Sequence, residues 1–141
     1  MRKYIFVFII TIFSACNLLT KDKVESYVES SYSKCNEKCQ VDFNSIFDYD
    51  KLYIFGVGVT NEEVSKTIGF QYKGDKDISR LILFVKNNNI IYEQNLIFDD
   101  SKPYKLMFVT DKTFFTNKIK FSIEKDEDIF ILKPIEIINI Q

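Results

Sequence analysis

The stretch KLYIFGVGVTNEEVSKTIGF, residues 51–70, constrains the fold more than any other part of the chain. Leu52 and Ile54 alternate with Tyr53 and Phe55, so a strand here is apolar on both faces and must be covered on both. That requirement makes it a central strand inside a layered domain. A short helix follows. Thr60 is a good N-cap, Glu63 completes a capping box, and Gly69 suits the left-handed position that ends a helix, with Phe70 folding back on Val64. Gly56 and Gly58 between strand and helix invite comparison with a nucleotide-binding loop. Asn61 stands where the third glycine belongs, and Glu62 and Glu63 put negative charge where a phosphate would sit. The glycines read as turn residues.

The flanking segments fill in the class. Over Lys21 to Lys34, Val24, Tyr27, Val28 and Tyr32 fall three and four residues apart, on one face of a helix whose other face carries Glu and Lys. The acidic Asp22, Glu25 and Glu29 argue against its lying on an anionic lipid surface, so it is expected to pack on its own domain. After Gly74 the chain reads as antiparallel sheet. SRLILFVK and IIYEQNLIF are strands joined through Asn87, Asn88 and Asn89, and KLMFVT is another. In KIKFSIEKDEDIFILKP, Ile119, Phe121 and Ile123 alternate with polar residues, as in a hairpin with one wet face. Pro134 is expected to interrupt the ladder, leaving IEIINI as a last edge strand. The expected fold is α+β: an antiparallel sheet of about six strands, an N-terminal helix, and a short helix inserted after an early strand.

The N-terminus gives an address. Arg2 and Lys3 precede an apolar core of ten residues, Tyr4 to Phe13, and then come the small Ser14 and Ala15. Ten helical residues span about 15 Å, half of a hydrocarbon core of about 30 Å, so the run is short for a membrane span. An uncleaved anchor, a simple secretory signal and a lipoprotein signal all fit such a pattern. Phe13, Ser14, Ala15 and Cys16 resemble the lipobox of bacterial lipoproteins, in which the thiol carries a diacylglycerol thioether. The resemblance implies a signal peptide over 1–15, lipidation of Cys16, a lipidated tether over 16–22 and a single α+β domain over 23–141. It also implies anchorage in the cell envelope. In a Gram-negative host Asn17, which is not aspartate, favours sorting to the outer membrane.

With Cys16 acylated, the other two cysteines, Cys35 and Cys39, form an even pair, and export permits a disulfide between them. Two thiols in a chain with no histidine are too few for zinc, and three intervening residues differ from the two of a thioredoxin-type centre. Beyond the signal the chain holds one arginine, Arg80, and a mildly acidic balance, which argues against nucleic acid as a partner.

Residues 47–70 also resemble a loose group of small, mostly uncharacterised bacterial lipoproteins. They share an aromatic–acid–lysine start (Tyr49, Asp50, Lys51), a strand of the KLYIF type and a short helix ending near Gly69. That resemblance implies an envelope address and no activity. Catalysis finds little support in the residues themselves. Histidine is absent, neither spare cysteine has a visible base, and no serine sits in a nucleophile elbow. The acidic groups Asp48 and Asp50, Asp99 and Asp100, and Asp126 to Asp128 lack the spacing of glycosidase carboxylates or calcium ligands. No catalytic residue, cofactor or metal is therefore expected. The expected function is a non-catalytic protein-binding module at the membrane. The alternative is an immunity or phage superinfection-exclusion lipoprotein that neutralises a toxin or a phage at the envelope.

Overall fold

The computed structural model describes residues 22–74, 79–97 and 105–135. The first helix, α1 (Lys23–Lys34), starts where Asp22, the last residue of the expected tether, accepts hydrogen bonds from the backbone N–H groups of Val24 and Glu25. Val24 and Val28 are fully buried, and Tyr27 and Tyr32 pack beside them, so the apolar face read from the sequence docks on the domain. Lys23 supports the docking from the polar side. Its ammonium donates to the carbonyl of Ile46 at 3.1 Å and lies over the Phe47 ring, 4.6 Å from its centre.

Among the described residues eight strands form two four-stranded sheets. The first sheet holds β1 (Gln40–Val41), β7 (Lys120–Asp126), β8 (Ile129–Ile135) and β5 (Leu106–Phe108), in that spatial order. The second holds β4 (Asn89–Ile97), β3 (Ser79–Lys86), β2 (Lys51–Phe55) and β6 (Phe114–Thr116). All pairings are antiparallel except β5 with β8, which is parallel. The class is thus α+β with both helices as expected, while the single sheet of about six strands is two sheets. Alternation along a strand says which residues are buried, not which layer each strand joins, and here the two layers share one core.

That core lies between the sheets. Leu52, Ile54, Ile82, Phe84, Leu96 and Phe115 face it from one side, and Val41, Leu106, Phe108, Phe121, Ile123, Phe130 and Leu132 from the other. Phe43, in a 3-10 turn between β1 and β2, sits at its centre, with the Phe84, Phe108 and Phe121 rings 5.5, 6.4 and 5.8 Å away. The opposite face of β2 and β3 carries Tyr53, Phe55, Leu81, Leu83 and Val85. It is covered by Val64 and Ile68 of α2 (Asn61–Ile68). Both faces of β2 are buried, which is what its sequence demanded.

Local signals were obeyed. Thr60 and Glu63 form the full capping box, Gly69 ends α2 at φ 86°, and Gly58 turns the chain at φ 82°. Asn87 and Asn88 take φ of 49° and 59° in the β3–β4 turn, the left-handed pair that a two-residue hairpin needs. A register shift at Phe84/Val85 leaves Ile91 without an opposite residue, which explains why this isoleucine is 43% exposed.

Pro134 departs from expectation. It does not end the ladder; it pairs opposite Phe121 inside β8, and Ile135 still pairs with Lys120. The reason is direction. Ile123 donates its N–H to Cys39 of the β1 side, so Phe121, in the same phase, also bonds away from β8. Phe130 N–H and Leu132 C=O bond to the β5 side, so position 134 faces that side too. The β5 pairing stops at Leu132, so the missing N–H of the proline falls on an unpaired edge. The IEIINI segment beyond Ile135 lies outside the described residues.

Candidate functional site

The residues singled out by sequence divide into three groups. Cys16, its lipobox neighbours and the Asp99–Asp100 pair lie outside the described residues. Cys35 caps the C-terminus of α1, Cys39 immediately precedes β1, and the two stand at disulfide distance with Cα atoms 5.4 Å apart. They therefore sit at the junction of helix and first strand. The remaining acidic residues take structural or solvated places. Asp48 pairs with Lys86, and Asp50 accepts the N–H of Asn87 at 2.9 Å, so the DYD pair brackets the β3–β4 turn and does not converge on one point. Asp126, Glu127 and Asp128 form the exposed turn of the β7–β8 hairpin, with Glu127 at φ 50°. Among the described residues no helix is long and apolar enough to cross a membrane, and no cluster of three metal-binding side chains occurs.

What the fold does assemble is a cleft of about 160 Å³ where the two sheets meet at their open side. One wall is the end of β2, Ile54 to Gly56; the other is Phe108 and the loop Thr110 to Thr113, which links edge strand β5 to edge strand β6. The walls are held together by backbone, since Ile54 N–H donates to the Thr113 carbonyl at 2.9 Å. Thr110 shapes the loop: its hydroxyl accepts the N–H of Lys112 at 3.0 Å, a local turn bond that threonine supplies readily.

Arg80 enters this cleft from β3. It shares the phase of Ile82 and Phe84, so it points inward, and at the strand's start the core is open enough to leave it half-buried. Its Nη1 donates to the Phe108 carbonyl at 2.8 Å. That carbonyl needs a donor. Lys105 and Val109 spend backbone groups on β8, so by alternation Phe108 faces the free edge of β5. Arg80 thus ties one sheet to the unpaired edge of the other. No carboxylate among the described residues pairs with its guanidinium.

Three exposed apolar residues adjoin the cleft in sequence. Val57 follows Gly56, Val109 lies between Phe108 and Thr110, and Phe114 follows Thr113; they are 55%, 46% and 44% exposed. Phe114 also contacts the Tyr53 ring at 5.3 Å, so its own ring is fixed in place. Gly56, where the chain leaves β2, forms one lip. Arg80 itself belongs to no motif. Its only signal in the sequence is its phase, a charged residue two positions before an inward Ile82.

No protein family, curated protein or solved structure matches the chain.

Proposed function

We propose that this chain is a lipid-anchored protein of the cell envelope whose folded domain works as a non-catalytic protein-binding module. Cys16 carries the anchor, Cys35 and Cys39 close a disulfide, and, in a Gram-negative host, Asn17 directs the protein to the outer membrane. One observation supports the binding reading: Val57, Val109 and Phe114 are large apolar residues left exposed, each next in sequence to a residue that lines the cleft beside edge strand β5. Large apolar side chains left in solvent are used at interaction surfaces, and a free strand edge adds backbone donors and acceptors that a partner can use. The acidic groups singled out by sequence within the described residues support the non-catalytic half, since Asp48 and Asp50 brace a turn and Asp126 to Asp128 face water.

The anchor is tested by metabolic labelling with a fatty-acid analogue, which should tag the wild type and miss Cys16→Ser. Equal labelling of both would remove the anchor from the proposal. The module is tested in cells by a photo-crosslinking residue at position 57, with position 127 as an exposed control far along the chain. A discrete protein adduct at 57 and none at 127 is the expected result. Adducts at neither position, or at both alike, would overturn the binding reading.

A further inference from the structure

We infer that Arg80 guards the free edge of β5: by holding the Phe108 carbonyl it keeps a second copy of this chain from adding its own β5 there. The ladder between β5 and β8 shows which groups face outward. The Lys105 carbonyl accepts from the Phe130 N–H at 2.7 Å, and the Val109 N–H donates to the Leu132 carbonyl at 2.9 Å. Bonding to β8 therefore extends over residues 105–109 and uses every second one. The backbone groups of Leu106 and Phe108 point to the other edge, where β5 has no neighbouring strand among the described residues. Beside that edge Met107 and Val109 are 39% and 46% exposed, and Met107 lies in register with Ile131. An open edge lined by exposed apolar side chains is a template for an added strand.

Such edges are blunted by a charge, a proline or a bulge within the strand. Leu106, Met107 and Phe108 supply no charge or proline, and Lys105, just before them, lies 3.8 Å from Glu25. The block comes from the other sheet. Nη1 of Arg80 stands 2.8 Å from the Phe108 oxygen, and an incoming backbone N–H needs a place about 2.9 Å from that same atom. The bond from a charged donor is stronger than the amide bond that would replace it. Displacement would also leave a half-buried guanidinium without that acceptor. A second copy is the intruder to exclude, because the edge is complementary to itself. With two β5 strands antiparallel, Leu106 of each opposite Phe108 of the other, half of the ladder bonds end on the Phe108 carbonyls that Arg80 holds. Met107 of one copy then meets Met107 of the other, an apolar pair. A net charge of −1 adds little repulsion to keep the copies apart.

The test measures self-association of the full chain by sedimentation equilibrium in density-matched detergent, with circular dichroism on every variant. The wild type should remain a single copy across the concentration range. Arg80→Met, of similar length but without an N–H, should pair at least tenfold more tightly than the wild type. Arg80→Lys keeps a charged donor and should stay near the wild type. Arg80→Met combined with Met107→Lys should return to the wild-type value, because like charges then face each other across the edge. Arg80→Gln, still polar but shorter than the guanidinium, makes the same comparison should Arg80→Met not fold. A donor-free variant as monomeric as the wild type, a wild type that pairs as readily as the variant, or pairing that Met107→Lys leaves unchanged would each overturn the guard. So would Arg80→Lys pairing as tightly as Arg80→Met. None of these outcomes touches the binding module, which the adduct at position 57 decides separately.

Discussion

One oxygen of Asp22 accepts the Tyr92 hydroxyl at 2.9 Å and the Val24 N–H at 2.8 Å, so the residue that starts α1 also fastens it to β4. The bond spans seventy positions of chain. Asp22→Ala should remove a helix cap, at about 1 kcal/mol, and leave a part-buried tyrosine hydroxyl without its acceptor, at about 1 kcal/mol more. Asp22→Asn keeps a capping oxygen and should lose less than half as much. Urea unfolding of the two variants checks the order, and equal losses would show that an amide oxygen replaces neither the cap nor the Tyr92 acceptor.

Tyr49 gives the domain an alkaline weakness. Its ring is 1% exposed, edge-on to Phe84, and its hydroxyl has no hydrogen-bond partner among the described residues. Burial first, and then the charge of Asp42, push its ionisation well above the usual tyrosine value of 10.0. Burial and the bond to Asp22 do the same for Tyr92. The unfolded chain therefore releases these protons near pH 10 while the folded one retains them. Stability is constant in this respect below pH 10 and falls as the pH rises beyond it, by up to about 1.4 kcal/mol per pH unit for a fully buried tyrosine. Tyr49→Phe should flatten that fall. At neutral pH it should be neutral or slightly stabilising, because it removes an unsatisfied hydroxyl. Denaturation curves at pH 8 and pH 11 measure both effects.

Phe43 is the residue on which the two layers converge. It is fully buried and contacts the rings of Tyr27, Phe84, Phe108 and Phe121 from α1 and from both sheets. Truncating such a ring leaves a cavity lined by α1 and both sheets, so Phe43→Ala should cost about 3–5 kcal/mol. Phe114→Ala, at an exposed ring on β6, should cost under about 1 kcal/mol by the same measurement. A small loss for Phe43→Ala would mean that the layers repack without it.

Those contrasts show what the sequence carries and what it leaves out. Local conformation is written in single residues: the Thr60–Glu63 box, Gly69 at φ 86°, and the left-handed Asn87 and Asn88. Strand β2 announces itself because an apolar run on both faces has few other uses. Strands β1 and β6 are two and three residues long, too short for any period to show, and exist because β7 and β2 offer them partners. Assignment of strands to two sheets depends on which edges meet, a long-range matter that alternation does not encode. The cleft is harder still. Its residues come from positions 54–56, 80, 108 and 110–113, brought together by sheet pairing and the Arg80–Phe108 bond.

The cysteine pair tests how much a small covalent clip adds. Cys35 and Cys39 are four positions apart and join the end of α1 to the start of β1. A loop of that length restricts the unfolded chain by at most about 2 kcal/mol, and Val24 and Val28 already fix the helix by burial. Cys35→Ser with Cys39→Ser should therefore lower stability by no more than about 2 kcal/mol and leave helix content unchanged. Intact mass after alkylation, with and without reductant, decides whether the bridge forms. Two freely alkylated thiols in envelope-purified protein would rule it out.

Anchor and domain should also separate cleanly. Among the described residues the core contacts run from residue 24 onward, and Asp22 caps α1 and meets Tyr92. A chain lacking residues 1–16 keeps all of these, so it should unfold at the same urea concentration as the full chain, within about 0.5 kcal/mol. In cells the same truncation should fail if Cys16 is acylated as proposed, because two or three acyl chains would give stable membrane attachment, and among the described residues no helix is long and apolar enough to cross a membrane. Fractionation measures the second half: the full chain should sediment with outer-membrane markers in a Gram-negative host, and the truncated chain should remain in the soluble fraction. A truncated chain that unfolds would tie the fold to its anchor, and one that still sediments with membranes would place the attachment in the domain itself.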